Sequence, residues 1–206
     1  NCGNKNKILA VKSTIPVGTT RKIQRYLIGH LGDERIVAVS NPEFLTEGNA
    51  VEDTKKPDRI VIGTDRRNIV STIFDELYDP FLRRGGRVDY MNPNSSEFTK
   101  LAANAYLAMR ISFINEIANF AEIVGADIDE VRHGIGSDRR IGTHYLFPGQ
   151  GYGGSCFPKD LPTLMYQMNE EGVESLVLDG VYQRNEAQKK FLLEKLYLAL
   201  GMDMAA

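Results

Sequence analysis

The chain has 206 residues, with 25 basic and 27 acidic side chains, two cysteines, three histidines and no tryptophan. Near-neutral charge argues against electrostatic binding of nucleic acid, and no apolar run approaches the roughly 18 residues that a membrane span needs. Cys2 and Cys156 lie far apart in sequence, which disfavours a disulfide scaffold and favours a reducing, cytoplasmic compartment.

The first 94 residues predict an α/β fold in which short apolar strands alternate with helices. The predicted strands are residues 8–12, 36–40, 59–63 and 88–91. Helices are predicted up to Leu31 and up to about Arg84. Such alternation indicates a parallel sheet, with chemistry at the carboxyl ends of its strands. Ser13, Thr14 and the polar loop of residues 41–48 fall at such ends.

A long helix is predicted next, because residues from Ser95 or Ser96 to Val124 include no Pro or Gly and Gly125 ends the run. Apolar side chains occur all round this helix, which predicts burial of most of its circumference, in a core or at a subunit interface. Further helices are predicted over residues 126–135, 158–171 and 175–199, with a long loop over 136–155. We therefore expect an α/β domain over residues 1–94 and a helical domain over 95–206.

The loop before the second cysteine reads GQGYGG at residues 149–154, which satisfies the G-x-G-x-x-G pattern of dinucleotide-binding proteins. That pattern requires a preceding strand within a βαβ unit, whereas Phe147 and Pro148 precede it here and helices surround it. We reject a dinucleotide site at this loop. The glycines instead permit positive φ and remove side-chain bulk, so that the loop passes close to a ligand; a flexible linker is the alternative.

Cys156 stands at the predicted start of a helix, where unpaired N–H groups and the positive helix end favour a thiolate. Lys159 adds a nearby cation, and Asp160 can hold a water or a proton beside the sulfur. These features predict a nucleophile. A small buried cysteine without a catalytic role is the alternative.

Two pairs of polar residues are spaced by four. Lys100 and Asn104 share one face of the long helix and can donate to one oxyanion, although a solvated Lys and an interface Asn would show the same spacing. Glu43 and Glu47, on the loop after the second strand, can act as base, acid or hydroxyl acceptor, or form an ordinary acidic loop. The three histidines are scattered, which predicts neither a metal site nor a His-based triad.

Four blocks of sequence together resemble the UDP-glucose/GDP-mannose dehydrogenase family. They are KSTIPVGT at residues 12–19, NPEFLTEG at 41–48, EFTKLAANA at 97–105 and GYGGSCFPKD at 151–160. The resemblance implies an α/β fold with the second half of a Rossmann-like parallel sheet, followed by an all-α dimerisation segment with one long central helix. Enzymes of this family oxidise the C6 alcohol of a nucleotide sugar to a carboxylate by two hydride transfers to NAD.

The resemblance implies a covalent mechanism. Cys156 attacks the C6 aldehyde to form a thiohemiacetal, which is oxidised to a thioester and then hydrolysed. Lys100 and Asn104 stabilise the oxyanion, and Asp160 positions a water or relays a proton. Glu43 acts in thioester hydrolysis.

The resemblance also implies a cofactor site. Ser13, Thr14 and Glu47 fall where the family lines the NAD site, and Thr14 additionally bonds near the reacting centre, which gives it a catalytic role.

Substrate binding is implied for a larger set of residues. They are Glu43, Phe44, Leu45, Lys100, Asn104, Arg140, Tyr145, Phe147, Gly149, Tyr152 and Gly153. Arg140 matches an arginine that, in the family's dimers, reaches the substrate of the other subunit, so we expect a homodimer formed through the long helix. The sequence around Arg140 and Cys156 favours UDP-glucose as the sugar, with GDP-mannose and UDP-N-acetylmannosamine as alternatives.

The family's glycine fingerprint for the NAD pyrophosphate and its C-terminal UDP-binding domain have no counterpart in this sequence. We therefore expect an internal fragment with negligible activity on its own. Two other classes of function stay open. One is a catalytically idle helical dimerisation module, and the other is a thiol acyl-transfer enzyme without a cofactor, although that class lacks its paired histidine here.

Overall fold

The computed structural model of the protein describes residues 7–32, 35–82 and 85–201. They form two compact units, an α/β unit up to Leu101 and a helical unit from Ala102.

The α/β unit contains four strands and three helices before the long helix begins. They are β1 (Lys7–Val11), α1 (Thr19–Leu31), β2 (Ile36–Ser40), α2 (Ala50–Lys55), β3 (Arg59–Gly63), α3 (Arg67–Leu82) and β4 (Arg87–Met91). All four predicted strands are therefore present to within one residue at either end. Helix α2 was not predicted, because it has only six residues and buries none of them.

The strands form one sheet in the order β1-β2-β3-β4. The pairs β1–β2 and β3–β4 are parallel, as the alternation of strands and helices predicts, whereas β2 and β3 meet in an antiparallel bridge between Ser40 and Gly63. The prediction of an α/β fold with a mostly parallel sheet is confirmed, and the expectation of a wholly parallel one is wrong. The link from β2 to β3 contains only the short α2, not a crossover helix of the length that joins parallel neighbours.

The mixed direction leaves the carboxyl ends of the strands together. The final residues of the four strands are paired in one row across the sheet: Val11 with Ser40, Ser40 with Gly63, and Gly63 with Met91. The chain leaves this row in opposite directions, because β1 and β2 run against β3 and β4. The candidate site predicted from the sequence lies on the segments after β1 and β2, which leave the row in the same direction.

The core of the α/β unit lies on both faces of its central strands. One face packs Val37, Val39, Ile60 and Ile62 against Val70 and Phe74 of α3. Ala38 and Val61 on the other face are buried as well. Strands covered on both faces are apolar without alternation, and each large apolar side chain contributes about 1.5–3 kcal/mol when fully buried.

The long helix, α4 (Pro93–Val124), begins earlier than predicted. The residue that caps this helix is Asn92 and not Ser95 or Ser96, because Asn92 Oδ1 accepts from the Ser95 N–H at 3.0 Å. Proline is favoured at the first helical position, since its missing N–H would have no partner there.

The helical unit contains the rest of α4 with α5 (Ile128–Gly136), α6 (Phe157–Glu170) and α7 (Leu176–Ala199). These helices and the loop over residues 137–156 match the sequence prediction closely. Along α4 in this unit, Ala105, Ala108 and Ile114 are buried, whereas Phe113 and Phe120 are exposed. The expectation that most of the helix circumference is buried is therefore wrong for this chain by itself. Within the described residues, no helix has the length and apolar character needed to cross a membrane.

Candidate functional site

Polar residues follow β1 and β2 in the α/β unit, as the sequence predicts. Ser13 is exposed and Thr14 half-buried just beyond β1, while Glu43 and Glu47 are exposed on the loop beyond β2. Because Val11 and Ser40 are paired neighbours, both segments leave from adjacent strand ends. Hydroxyl and carboxylate groups are thus presented at the edge where α/β sheets bind ligands.

Glu97 fixes the turn that follows Thr14, a role the sequence did not suggest. Its carboxylate is 2% exposed and accepts from the N–H of Gly18 at 2.5 Å and of Thr20 at 2.7 Å, where α1 begins. A carboxylate at a helix N-terminus satisfies otherwise unpaired N–H groups and complements the helix dipole. No sequence signal distinguishes Glu97, because its neighbours Ser95, Ser96 and Lys100 are polar as well.

The loop after β2 is anchored by Asn41. This residue is 1% exposed; its Oδ1 accepts from the Tyr78 hydroxyl at 2.5 Å and from Lys12 Nζ at 3.2 Å, while its Nδ2 donates to the Val61 carbonyl at 3.0 Å. A cavity of about 260 Å³ lies beside it and is lined by Glu43 among others. Because these bonds hold Asn41 in place, the loop residues that follow it begin from a fixed position.

Phe44 contacts two cations. Lys100 Nζ lies 5.1 Å from the centre of its ring and the Arg59 guanidinium carbon lies 4.3 Å from it. Lys100 is only 7% exposed, so its charge is held largely out of water, and the negative face of an aromatic ring stabilises such a cation. The structure therefore brings together Phe44 and Lys100, which the sequence assigned separately.

Cys156 is the N-cap residue of α6 and is half-buried. Its carbonyl accepts from the Asp160 N–H at 3.0 Å, and Ser155 Oγ lies 3.6 Å from its sulfur. Pro158 occupies the first turn of the helix. The predicted position of Cys156 at a helix start is confirmed.

Asp160 joins two other predicted residues within the helical unit. It is 3% exposed; its Oδ2 accepts from Asn104 Nδ2 at 2.6 Å and its Oδ1 from Lys159 Nζ at 2.6 Å. Both carboxylate oxygens are therefore engaged, and the bond from Lys159 is also an ion pair. Lys159 thus pairs with the aspartate, whereas the sequence had offered it as a cation for the sulfur.

The glycine loop shows both of the backbone features that the sequence predicts. Gly151 adopts φ +94°, and a Cβ atom there would lie 2.5 Å from Asn185 Oδ1. The buried Asn185 side chain therefore leaves no room for a side chain at this position. Gly149 and Gly153 have nothing within 4 Å of an added Cβ.

Tyr152, predicted to bind substrate, is 5% exposed, and its hydroxyl has no hydrogen-bond partner among the described residues. Burial raises the pKa of the phenol to about 12, and the charge of Glu186 adds to this shift. The ring packs edge-on against Phe157 with the centroids 5.8 Å apart. Its side chain thus packs within the helical unit.

The other predicted substrate residues are spread over the loop between α5 and α6. Arg140 pairs with Asp138 through Nε at 3.0 Å and Nη2 at 2.6 Å, which lowers the pKa of the carboxyl and raises that of the guanidinium. Tyr145 adopts φ +61°, which is uncommon outside glycine. Phe147 is 60% exposed beneath the Arg132 guanidinium.

Comparison with known proteins shows which family these features belong to. Residues 1–82 match the UDP-glucose/GDP-mannose dehydrogenase family, NAD binding domain, and residues 94–187 match the central domain of the same family. The chain belongs to the UDP-glucose/GDP-mannose dehydrogenase family.

Individual relatives agree with this assignment. UDP-glucose 6-dehydrogenase of Pseudomonas aeruginosa is 46% identical over 92% of the chain and 42% of its own length. UDP-glucose 6-dehydrogenase TuaD of Bacillus subtilis is 42% identical over 96% of the chain and 42% of its own length. The chain thus spans less than half the length of these relatives.

A solved UDP-glucose dehydrogenase from Pyrobaculum islandicum matches with a TM-score of 0.86 and 38% identity. The match covers 94% of this chain and 44% of the solved chain. A solved UDP-D-ManNAc dehydrogenase from Pyrococcus horikoshii matches with a TM-score of 0.80 and 25% identity. The match covers 95% of this chain and 46% of the solved chain. The fold class inferred from the sequence is therefore confirmed.

Proposed function

We propose that this chain is the middle part of an NAD-dependent enzyme that oxidises UDP-glucose to UDP-glucuronate. Its α/β unit would be the second half of the NAD-binding domain, and its helical unit would be the dimerisation domain that carries the nucleophile. One observation carries the proposal: Cys156 occupies the N-cap position of α6, and one turn further along the helix Asp160 is bonded to Asn104.

The reaction consumes UDP-glucose, two NAD⁺ and one water, and it yields UDP-glucuronate, two NADH and three protons. NAD⁺ would be the electron acceptor in each of the two oxidations. In the first, the C6 alcohol loses a hydride and a proton and becomes an aldehyde. The sulfur of Cys156 then bonds to the aldehyde carbon while the carbonyl oxygen gains a proton, which gives a thiohemiacetal.

The second oxidation removes a hydride and a proton from the thiohemiacetal and leaves a thioester on Cys156. Water then adds to the thioester carbon, the carbon–sulfur bond breaks, and the carboxylate and the free thiol separate. Glu43 is proposed to accept the proton of this water, which an exposed carboxylate can do.

Negative charge develops on the C6 oxygen when the sulfur or the water attacks. Lys100 and Asn104 are proposed to stabilise this oxyanion, since they lie one turn apart on the continuous helix α4. Two contacts support the proposal by restricting these side chains before substrate binds. Phe44 lies against the Lys100 ammonium, and Asp160 holds the Asn104 amide.

The residues of the α/β unit fit a nicotinamide cofactor in part. Ser13, Thr14 and Glu47 offer hydroxyl and carboxylate groups beside the strand ends, where they would bond the carboxamide end of NAD. Glu97 supports this role, because it fixes the turn after Thr14.

The nucleotide sugar is proposed to contact Glu43, Phe44 and Leu45 on one loop. The remaining proposed contacts are Lys100, Asn104, Arg140, Tyr145, Phe147, Gly149, Tyr152 and Gly153. The exposed Arg140 guanidinium supports recognition of a phosphate or sugar from another subunit, with Asp138 as its partner in the free chain.

A homodimer is proposed through the exposed face of α4. Tyr106, Phe113 and Phe120 are 54%, 51% and 63% exposed and occur every seven residues, which places them on one side of the helix. A repeated apolar stripe left in water is the usual mark of an interface, and the paired surface is the same stripe on a second copy.

The activity is tested by following NADH formation with UDP-glucose in protein that spans the whole length of the family. We expect turnover in the wild type and in Cys2→Ser, and loss of net oxidation in Cys156→Ser. UDP-glucuronate formation at the normal rate by Cys156→Ser would contradict the proposal. GDP-mannose and UDP-N-acetylmannosamine, assayed alongside, decide the sugar.

A further inference from the structure

Three buried amide side chains bind the backbone of the loop that precedes Cys156. They are Asn115 on α4 with Asn185 and Gln188 on α7, and they are 1%, 2% and 3% exposed. We call these three residues the amide clamp. Fully buried amides are costly unless they form hydrogen bonds, so their partners indicate what they are for.

Gly149 is held on both sides of its backbone. Its N–H donates to Asn115 Oδ1 at 2.8 Å and its carbonyl accepts from Gln188 Nε2 at 2.8 Å. The clamp therefore provides for this loop residue both of the bonds that a neighbouring strand would provide.

Tyr152 is held in the same way by a single side chain. Its N–H donates to Asn185 Oδ1 at 2.7 Å, and its carbonyl accepts from Asn185 Nδ2 at 3.2 Å. Between the two anchored residues, Gly151 passes so close to Asn185 Oδ1 that a Cβ atom would lie 2.5 Å away. The loop backbone is thus fitted to the clamp without room for a side chain.

Aromatic packing connects the clamped loop to the thiol. The Tyr152 ring meets the Phe157 ring edge-on at 5.8 Å, and the Tyr145 ring meets the same Phe157 at 6.3 Å. Phe157 directly follows Cys156 and is the first residue of α6. A shift of the Tyr152 backbone therefore reaches the start of the helix that carries the sulfur.

We propose that the amide clamp positions the Cys156 thiol, with Asn185 acting on it through Tyr152 and Phe157. The three amides are positioning residues, since none of them contacts the sulfur itself. The inference rests on the proposed function in one respect, namely that Cys156 is the nucleophile.

The test measures how fast iodoacetamide alkylates Cys156 in this chain. The chain carries Cys2→Ser, so that Cys156 is the one cysteine left to alkylate. Asn185→Ala should free the loop and expose the sulfur, which raises the alkylation rate by about threefold or more. In protein of full family length, the same substitution should lower kcat by about tenfold, because small misplacements of a nucleophile are costly.

Ser112→Ala is the matched control. Ser112 is 3% exposed, and its hydroxyl donates from α4 to the Val181 carbonyl on α7 at 3.1 Å, not to the backbone of the loop. It removes a buried hydrogen bond between the same two helices, so it shows the effect of lost stability alone. We expect it to leave both the alkylation rate and kcat at the wild-type values.

Gln188→Met provides a second variant should Asn185→Ala fail to fold, because it keeps the side-chain volume and removes the donor to Gly149. We expect it to raise the alkylation rate in the same direction. Equal alkylation rates in the folded clamp variants and in Ser112→Ala would overturn the inference. Faster alkylation with unchanged kcat would leave the positioning role standing and would contradict the nucleophilic role of Cys156.

Discussion

The ammonium of Lys100 lies 5.1 Å from the centre of the Phe44 ring, and the lysine side chain is almost fully buried. The ring thus belongs to the surroundings of the charge that is proposed to stabilise the oxyanion. Phe44 therefore has two candidate roles. Its ring can stabilise the Lys100 ammonium, or it can contact the sugar.

Phe44→Leu keeps an apolar side chain but removes the aromatic face. We expect kcat to fall by about tenfold with little change in KM for the nucleotide sugar, because a cation–π contact out of water is worth about 1–2 kcal/mol. Steady-state kinetics in a Lys100→Met background provides the check. There, Phe44→Leu should have no further effect on kcat; a raised KM with unchanged kcat would instead assign the ring to the substrate.

Gly63→Ala should destabilise the α/β unit. An added Cβ would lie 2.5 Å from Ser96 Cβ and 3.0 Å from the Pro93 Cα, so the start of α4 must move away from β3. We expect the free energy of unfolding in urea to fall by about 1–3 kcal/mol. Gly29→Ala is the control, because nothing lies within 4 Å of its Cβ position in α1, and there alanine should be neutral or stabilising. Equal effects of the two substitutions would contradict the close approach.

The Tyr152 hydroxyl predicts a pH effect on stability. Its pKa is about 12 in the folded protein and about 10 in an unfolded chain, so the unfolded state loses this proton first as pH rises. The contribution of the neutral Tyr152 hydroxyl to the free energy of unfolding is complete below pH 10 and is lost as pH approaches 12.

Tyr152→Phe should therefore lose less stability than the wild type between pH 10 and pH 12. At pH 7 it should be at least as stable, because the lost hydroxyl has no hydrogen-bond partner among the described residues. Urea unfolding at both pH values measures this, with Tyr166→Phe as control because Tyr166 is 65% exposed. A large loss of stability at pH 7 would point to an unseen partner of the hydroxyl.

The dimer proposal makes a prediction about mass in solution. Phe113→Glu combined with Phe120→Glu places two like charges on each facing stripe, which should separate a dimer into chains of 23.0 kDa. Sedimentation velocity measures the mass, and Tyr166→Glu, on exposed α6 surface, should leave the dimer intact. A wild-type chain that sediments as a monomer would reject the α4 stripe as a dimer interface.

Much of the fold could be predicted because the local patterns are strong. Short apolar runs located the four strands, and a long segment without Pro or Gly located α4. The antiparallel bridge between Ser40 and Gly63 could not be predicted, because apolar periodicity is the same for a strand in either direction. The start of α4 was missed because the run without Pro or Gly was counted from Ser95 or Ser96, whereas a proline is accepted at the first position of a helix, as Pro93 is here.

The residues at the candidate site were recognised by type and spacing, but not all of their contacts were. Cys156 at a helix start and the charged groups around it follow from sequence. Glu97 and Asn185 do not, because a polar residue on a helix looks the same in sequence whether it faces water or caps a buried turn. The Gly151 contact with Asn185 likewise depends on packing between segments far apart in the chain.

The covalent role of Cys156 is tested most directly by trapping the thioester. Glu43→Gln, in protein of full family length, should still oxidise the sugar to the thioester and should hydrolyse it slowly. After incubation with UDP-glucose and NAD⁺ and quenching in acid, peptide mass spectrometry should find the acyl adduct on Cys156, and not on Cys2. Formation of NADH and UDP-glucuronate with Cys156 unmodified at every time point would contradict the mechanism.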